Sequence, residues 1–371
     1  MRKAGIVSSK GLFRKFVIIL LVFLLHLPGL AFAEKLTVMT RNLYLGAEIQ
    51  SLAGAGSAPE FIAGVQEALL QIAANNFPER AVVLASEIVE KKPHLVGLQE
   101  VYNFTIDGGN TQPPFRDYLN DLMAALADQG ASYYVAATVK NLDLALPIDG
   151  SVIGVMDRDV ILAREDVAAE VVDLTPLCPP GRPSVDGCNY GIVAIADTPV
   201  GPIAFERGYV AVDTPYGRFF NTHLEIRDPD PLNPLSPLVQ RSQAMELMQV
   251  IGALNSSNPP PGPIIIAGDF NSSPEDGDYF GFPSPYQQIL TAGYTDAWTQ
   301  RPGKPKGLTC CFDEDLRNPA DLYERIDMIF SNAQTSRVKA NVVGNDEDDL
   351  TPSGLWPSDH AGVVVRMEYA P

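Results

Sequence analysis

The chain has 371 residues, with 45 acidic against 27 basic side chains, and 46% of its residues are hydrophobic while 19% are charged. This excludes a disordered chain, which is poor in apolar residues and dense in charge. The 30 glycines and 31 prolines follow no period, which excludes a collagen-like or low-complexity chain, and the length suits one large domain or two ordinary ones.

Arg2, Lys3, Lys10, Arg14 and Lys15 make a basic start, and Phe16 to Leu25 is an unbroken apolar run. Pro28-Gly29 breaks that run, and Ala31-Phe32-Ala33 supplies a small-x-small cleavage pattern. This is the layout of a secretory signal peptide cut after Ala33, and the run is short for a membrane span. The expectation is a soluble mature chain, secreted or periplasmic. Residues 1–33 carry five bases and no acids, so the remainder has 22 bases against 45 acids, a net charge of −23. No stable nucleic-acid complex is expected, because that affinity comes largely from Lys and Arg neutralising phosphates. A local basic groove or bound cations can still reverse the field near a site.

Residues 35–42 (KLTVMTRN) read as a buried opening strand. Helices are expected over 60–74 and 78–92, the second with Pro78 at its first turn and a stripe of Val82, Leu84, Ala85, Ile88 and Val89. A short strand over 94–99 runs into Glu100, a helix follows over 115–129, and strands over 133–139 and 159–164. Residues 191–226 break into short strands and turns, the pattern of antiparallel hairpins. A Pro-rich loop over 228–237 precedes a helix over 238–254, and strands follow at 264–267, 325–330 and 361–368. Strands recur to the end with no clean linker, which favours one α/β domain of mixed sheets over residues 34–371.

The cysteines are Cys178, Cys188, Cys310 and Cys311. Export makes disulfides the default, and Cys178 and Cys188 flank the loop PPGRPSVDG. Four cysteines allow three complete connectivities and the sequence leaves all three open. Zinc is disfavoured, since there is no C-x-x-C spacing.

One oddity recurs along the chain: apolar strands end in, or contain, a polar residue that a core rejects. Asn42 follows TVMTR, Glu100 follows HLVGLQ, His223 interrupts RFFNTHL, Asp269 and Asn271 follow IIIAG, Asp327 sits in RIDMIF, and Asp359 and His360 precede AGVVVR. Burying such groups unpaired costs several kcal/mol each, so these segments are expected to bring them to one place. Only three histidines follow residue 33, and two of them lie in this set; His94, behind Pro93, reads as structural.

The ordered set Asn42, Gln99-Glu100, Asn221-Thr222-His223-Leu224, Gly268-Asp269-Phe270-Asn271, Arg325-Ile326-Asp327 and Ser358-Asp359-His360 resembles the endonuclease/exonuclease/phosphatase superfamily, in its deoxyribonuclease-like and sphingomyelinase-like forms. The resemblance covers residues 35–368 and implies a four-layer α-β-β-α sandwich of two mixed, mainly antiparallel sheets. It implies metal-dependent hydrolysis of a phosphate ester. Glu100 would be the main Mg²⁺ ligand, supported by Asn42 and Asp359, with Mn²⁺ as a substitute. Asp269 would aim or deprotonate the attacking water, with Asn271 beside it holding phosphate or water. Asp327 would pair with His360, His223 would face the phosphate or leaving oxygen, and Arg207 is a weaker phosphate contact. The chemistry asks for such a set: a divalent ion neutralises phosphate charge, a carboxylate aims water in line, and an imidazolium stabilises the anionic transition state.

The family spans nucleases, phospholipases and phosphatases, so the fold does not name the substrate. Nucleic acid, a phospholipid headgroup and a small phosphodiester all qualify. With no long basic amphipathic helix, any membrane contact is expected to be transient. The segment 279–282 (YFGF) is expected to pack on the core, the alternative being a wedge for lipid or base stacking. The acidic run 345–349 lacks EF-hand spacing and reads as a solvated loop. A non-catalytic binding protein on the same fold is the competing class, and loss of a ligand or motif histidine, its expected mark, is not seen.

Overall fold

The computed structural model describes Met1 and residues 34–369, apart from 50–51, 53, 107–114, 149, 228–234, 302, 304–305 and 320. The expected signal peptide, beyond Met1, and most of the Pro-rich loop lie outside the described residues.

The chain runs through β1 (Glu34–Asn42), α1 (Ala58–Ala74), α2 (Phe77–Lys91), β2 (Leu95–Gln99), β3 (Asn103–Ile106), β4 (Arg116–Asp117), α3 (Tyr118–Asp128), β5 (Tyr133–Ile148) and β6 (Ser151–Arg164). Short strands β7 (Glu170–Val171), β8 (Pro183–Ser184) and β9 (Gly187–Asn189) lead to the hairpin of β10 (Ala194–Thr198) and β11 (Gly201–Phe205). There follow β12 (Gly208–Thr214), β13 (Gly217–His223), α4 (Ser236–Ser257), β14 (Ile264–Asp269), α5 (Pro285–Thr291), β15 (Thr295–Asp296), β16 (Asp327–Ser331), β17 (Thr335–Val343) and β18 (Gly362–Tyr369).

These strands build two eight-stranded mixed sheets, the first ordered β17-β18-β1-β2-β6-β3-β4 with β5 on β6, the second β15-β16-β14-β13-β12-β9-β8 with β7 on β12. They pack face to face over a core that includes Leu36, Val38, Ile161, Val212, Phe219, Ile265 and Val365. Helices α2 and α3 cover the outer face of the first sheet through Ala81, Leu84, Ile88 and Leu122, against Met39, Val96 and Leu162. Helices α4 and α5 cover the second through Leu247, Ile251 and Ile289, against Phe220 and Ile266. The expected α-β-β-α sandwich is the observed one. Central strands such as Leu95–Gln99 and Ile264–Asp269 are apolar up to their polar ends because both of their faces are buried.

Three details differ from the sequence reading. The buried face of α2 is Phe77, Ala81, Leu84, Ala85 and Ile88, while Val82 is turned to solvent. The strands expected at 133–139 and 159–164 are the anchored halves of a much longer hairpin, β5 with β6. Its outer half alternates exposed and half-buried residues, a pattern weaker than an apolar run. The helix expected from residue 115 starts at Tyr118, because Asp117 caps it by accepting from the amides of Leu119 and Asn120.

Two disulfides resolve the open connectivity: Cys178 with Cys188, and Cys310 with its neighbour Cys311. No helix among the described residues is long and apolar enough to cross a membrane.

Candidate active site

Sheet register brings the polar strand ends together. In the second sheet, parallel β13 and β14 set His223 beside Asp269, and antiparallel β16 sets Asp327 on the other side of Asp269. In the first sheet, parallel β1 and β2 set Asn42 beside Gln99, one residue before Glu100. Asn221 joins the two sheets just behind: it donates to the carbonyls of Leu98 and Val160 and accepts from Gln99 Nε2 at 2.6 Å. Gly97 is required there, since a Cβ would meet Asn221 Oδ1 at 2.5 Å.

The rim bends sharply. Tyr44, Glu100 and Asn271 have φ of 63°, 57° and 47°, the left-handed region that non-glycine residues seldom enter. Such conformations persist where the surroundings over-determine them, and they cluster at functional sites.

Asp269 is the hub. Its Oδ1 accepts from the Asn271 amide at 2.9 Å and its Oδ2 from Asn42 Nδ2 at 3.0 Å. His223 Nε2 is 3.4 Å and His360 Nδ1 3.9 Å from the same Oδ2. Burial, reinforced by Asp327, pushes the Asp269 carboxyl up to about 7, against the pull of His360. A carboxylate poised near neutrality suits a general base.

Asp327 Oδ2 lies 2.8 Å from His360 Nδ1, the expected pair. Burial alone would lower the pKa of His360, but Asp327, Asp359 and Asp269 outweigh it and raise it well above the usual value. The imidazolium thus has Nδ1–H on Asp327, leaving Nε2–H as its other donor. A buried bidentate pair, Arg41 with Glu87 at 2.9 and 3.0 Å, stands behind it, and Arg41 also donates to the His360 carbonyl.

His223 is of the opposite kind. Arg207 Nη1 sits 3.0 Å from its Nδ1, and a guanidinium only donates, so Nδ1 is an acceptor and the proton is on Nε2. Burial, then Arg207, holds His223 well below the ordinary histidine pKa. It is a neutral donor toward Asp269, and its 3.2 Å approach to Asn271 Nδ2 is a packing contact, the Asn271 amide donating to the Leu224 carbonyl.

Glu100 Oε1 accepts from Asn42 Nδ2 at 3.1 Å and Oε2 from the Leu45 amide at 2.8 Å. Asn42 Oδ1 is taken by the Tyr44 amide at 2.9 Å. Asn42 Nδ2 thus links Glu100 and Asp269, while its Oδ1 keeps a second lone pair beside the one that the Tyr44 amide takes. The carboxylates of the site fit a hard cation. Glu100, Asp359 and Asp269 line one cleft of about 380 Å³ together with Arg207, His223, Asn271 and His360. Burial, with Glu100 adding to it, pushes the Asp359 carboxyl up to about 6. Oxygen donors that repel one another, with Glu100 and Asp359 partly exposed, suit Mg²⁺ or Mn²⁺. Asp269, Asp327 and His360 also bring ligand atoms within 4.8 Å of one another, but there the His360 Nδ1 is hydrogen-bonded to Asp327.

Sequence reasoning missed several of these residues. Arg41 and Glu87 are one group, and the missed signal was a charge inside the apolar strand TVMTRN. A second is the buried carboxylates Asp157, Asp159 and Glu225 around Arg207, where Asp157 Oδ1, both Asp159 oxygens, Glu225 Oε2 and Arg207 Nε have no hydrogen-bond partner among the described residues. D-x-D inside the strand β6 was the overlooked sign. The segment 279–282 also departs from expectation: Tyr279 lies against Arg241, but Phe280 and Phe282 are 79% and 50% exposed and do not pack on the core.

Residues 65–360 match the model of the endonuclease/exonuclease/phosphatase family. The chain belongs to that family. Its members hydrolyse phosphate esters, generally with a divalent metal. Among solved structures, a family protein from Leptotrichia buccalis C-1013-b is similar with a TM-score of 0.50 and 17% identity over 90% of this chain and 100% of that one. One from Beutenbergia cavernae DSM 12333 has a TM-score of 0.50 and 20% identity over 91% of this chain and 72% of that one. A mannosyl-6-phosphatase from Bacteroides thetaiotaomicron VPI-5482 has a TM-score of 0.48 and 16% identity over 90% of this chain and 99% of that one. No curated protein matches the sequence.

Proposed function

We propose that this chain is an exported, Mg²⁺-dependent phosphodiesterase that cleaves a P–O bond by in-line attack of water. The observation that carries the reading is the division of labour around Asp269: a near-neutral carboxylate flanked by one cationic and one neutral imidazole, facing Glu100 and Asp359 in the same cleft. Export after removal of residues 1–33 is supported by the two disulfides, which oxidising compartments permit.

Glu100 and Asp359 would hold the cation, which supplies charge neutralisation at the phosphate. Asn42 fixes Glu100 and Asp269 relative to each other. Asp269 orients the water and accepts its proton. His360 presents Nε2–H to the developing negative charge, with Asp327 keeping it charged and oriented. His223, neutral, donates without competing for that proton, and Arg207 behind it adds positive field. Asn271 positions Asp269 through its amide. The substrate is a small or lipid-derived phosphodiester rather than duplex nucleic acid, given the acid excess. Contact with a membrane surface is brief on the same grounds.

The test is hydrolysis of bis-p-nitrophenyl phosphate by the mature chain with Mg²⁺, with Mn²⁺ and with EDTA, beside Asp269→Asn. The expected result is metal-dependent turnover that drops about 10²–10⁴-fold in the variant. Turnover that survives both EDTA and the substitution refutes the reading; none with any metal favours a binding protein on this fold.

A further inference from the structure

A second cavity of about 80 Å³ adjoins the catalytic cleft. Helix α1 lines it through residues such as Phe61 and Ala68, the outer half of the β5–β6 hairpin through Leu144, and the β10–β11 hairpin through Ile203. Its lining is nearly all hydrocarbon, and the hydroxyl of Thr198 is taken by the Gly201 carbonyl at 2.6 Å. Apolar lining left open to water is unfavourable in proportion to its area, so an apolar occupant gains what the empty pocket forgoes.

Its location names the occupant. Leu45, Ile49, Tyr102, Ala196 and Phe205 line both this cavity and the cleft. The Leu45 amide holds Glu100, Tyr102 lies two residues after Glu100, and Phe205 two before Arg207. A group entering the pocket is thus tethered to whatever sits between Glu100 and Arg207. We infer that this pocket receives an aliphatic substituent of the phosphate ester, so the substrate class is an alkyl or lipid-derived phosphodiester. The inference rests on the phosphoesterase reading for the identity of the tether. The volume is roughly half that of the ~150 Å³ apolar cavity that takes a benzene ring, which suits a few methylenes rather than a ring.

The test is calorimetric titration of the mature chain with methyl, propyl, pentyl and octyl phosphate, with Mg²⁺ and again with EDTA. Kd is expected to fall about fourfold per methylene over about the first three or four carbons and then level off. Ala68→Phe, and the milder Ala68→Leu should the first fail to fold, fill the pocket and are expected to flatten the series while leaving methyl phosphate binding unchanged. A Kd independent of chain length, or a dependence equally strong in both variants, overturns the inference. A parallel series of alkyl p-nitrophenyl phosphates reads kcat/KM. If no ester turns over, the phosphodiesterase reading fails, and the pocket is still judged on binding alone.

Discussion

Around Arg207 three buried carboxylates compete for one cation. Burial, with Glu100 adding to it, pushes Asp157 up to about 7 although Arg207 opposes this. Asp159 is raised well above its usual value by burial and by Asp157. An aspartate whose folded pKa exceeds its unfolded one holds its proton longer when folded, so its contribution to stability falls as pH rises between about 4 and 7. Asp157→Asn removes that loss. Its melting temperature relative to the parent is therefore expected to be higher at about pH 8 than at about pH 5; an equal difference at both would contradict the assignment. Arg207→Gln probes the other partner. Without the guanidinium at Nδ1, the pKa of His223 is expected to rise toward the ordinary value, read by NMR titration of its ring protons. The strand-end residues Asn42, Glu100, Asp269 and His360 were legible because each interrupts an apolar run that a core would keep apolar. Asp157 and Asp159 interrupt such a run too, but Arg207, whose charge acts on both, is 50 and 48 residues away, and no local pattern links them.

At the scale of elements, the apolar runs were legible as strands of one α/β domain of mixed sheets, while the four-layer sandwich was legible only through the family resemblance. The outer half of the β5–β6 hairpin and the edge strand β17 escaped reading because half their residues face solvent, and alternation over a few residues is easily taken for a loop. Helix α2 is tied to the site through Glu87 and Arg41, which reaches the His360 carbonyl. Removing one partner leaves a buried charge, so Arg41→Met is expected to cost about 3–5 kcal/mol in denaturant unfolding. The double substitution Arg41→Met with Glu87→Met is expected to recover most of that stability without recovering kcat, because the His360 carbonyl stays unheld. Full recovery of both would reduce the pair to a packing element.

At the scale of the whole molecule, the ends of the two sheets meet in one cleft, where Glu100 and Asp359 face the same space as Asp269. A cation that binds only the folded state stabilises it by mass action, about 2.7 kcal/mol at a hundred times its Kd. Mg²⁺ is therefore expected to raise the melting temperature of the EDTA-treated chain, and Glu100→Gln to reduce that rise. The apolar cavity beside the cleft and the exposed Phe280 and Phe282 were hidden from the sequence, since both depend on which apolar residues fail to find neighbours. The Mg²⁺ dependence of phosphodiester hydrolysis in Glu100→Gln, beside the unaltered chain, tests the central claim most directly. The expected result is a half-saturating Mg²⁺ concentration raised at least about tenfold with kcat reduced. An unchanged Mg²⁺ dependence with full activity would contradict the account.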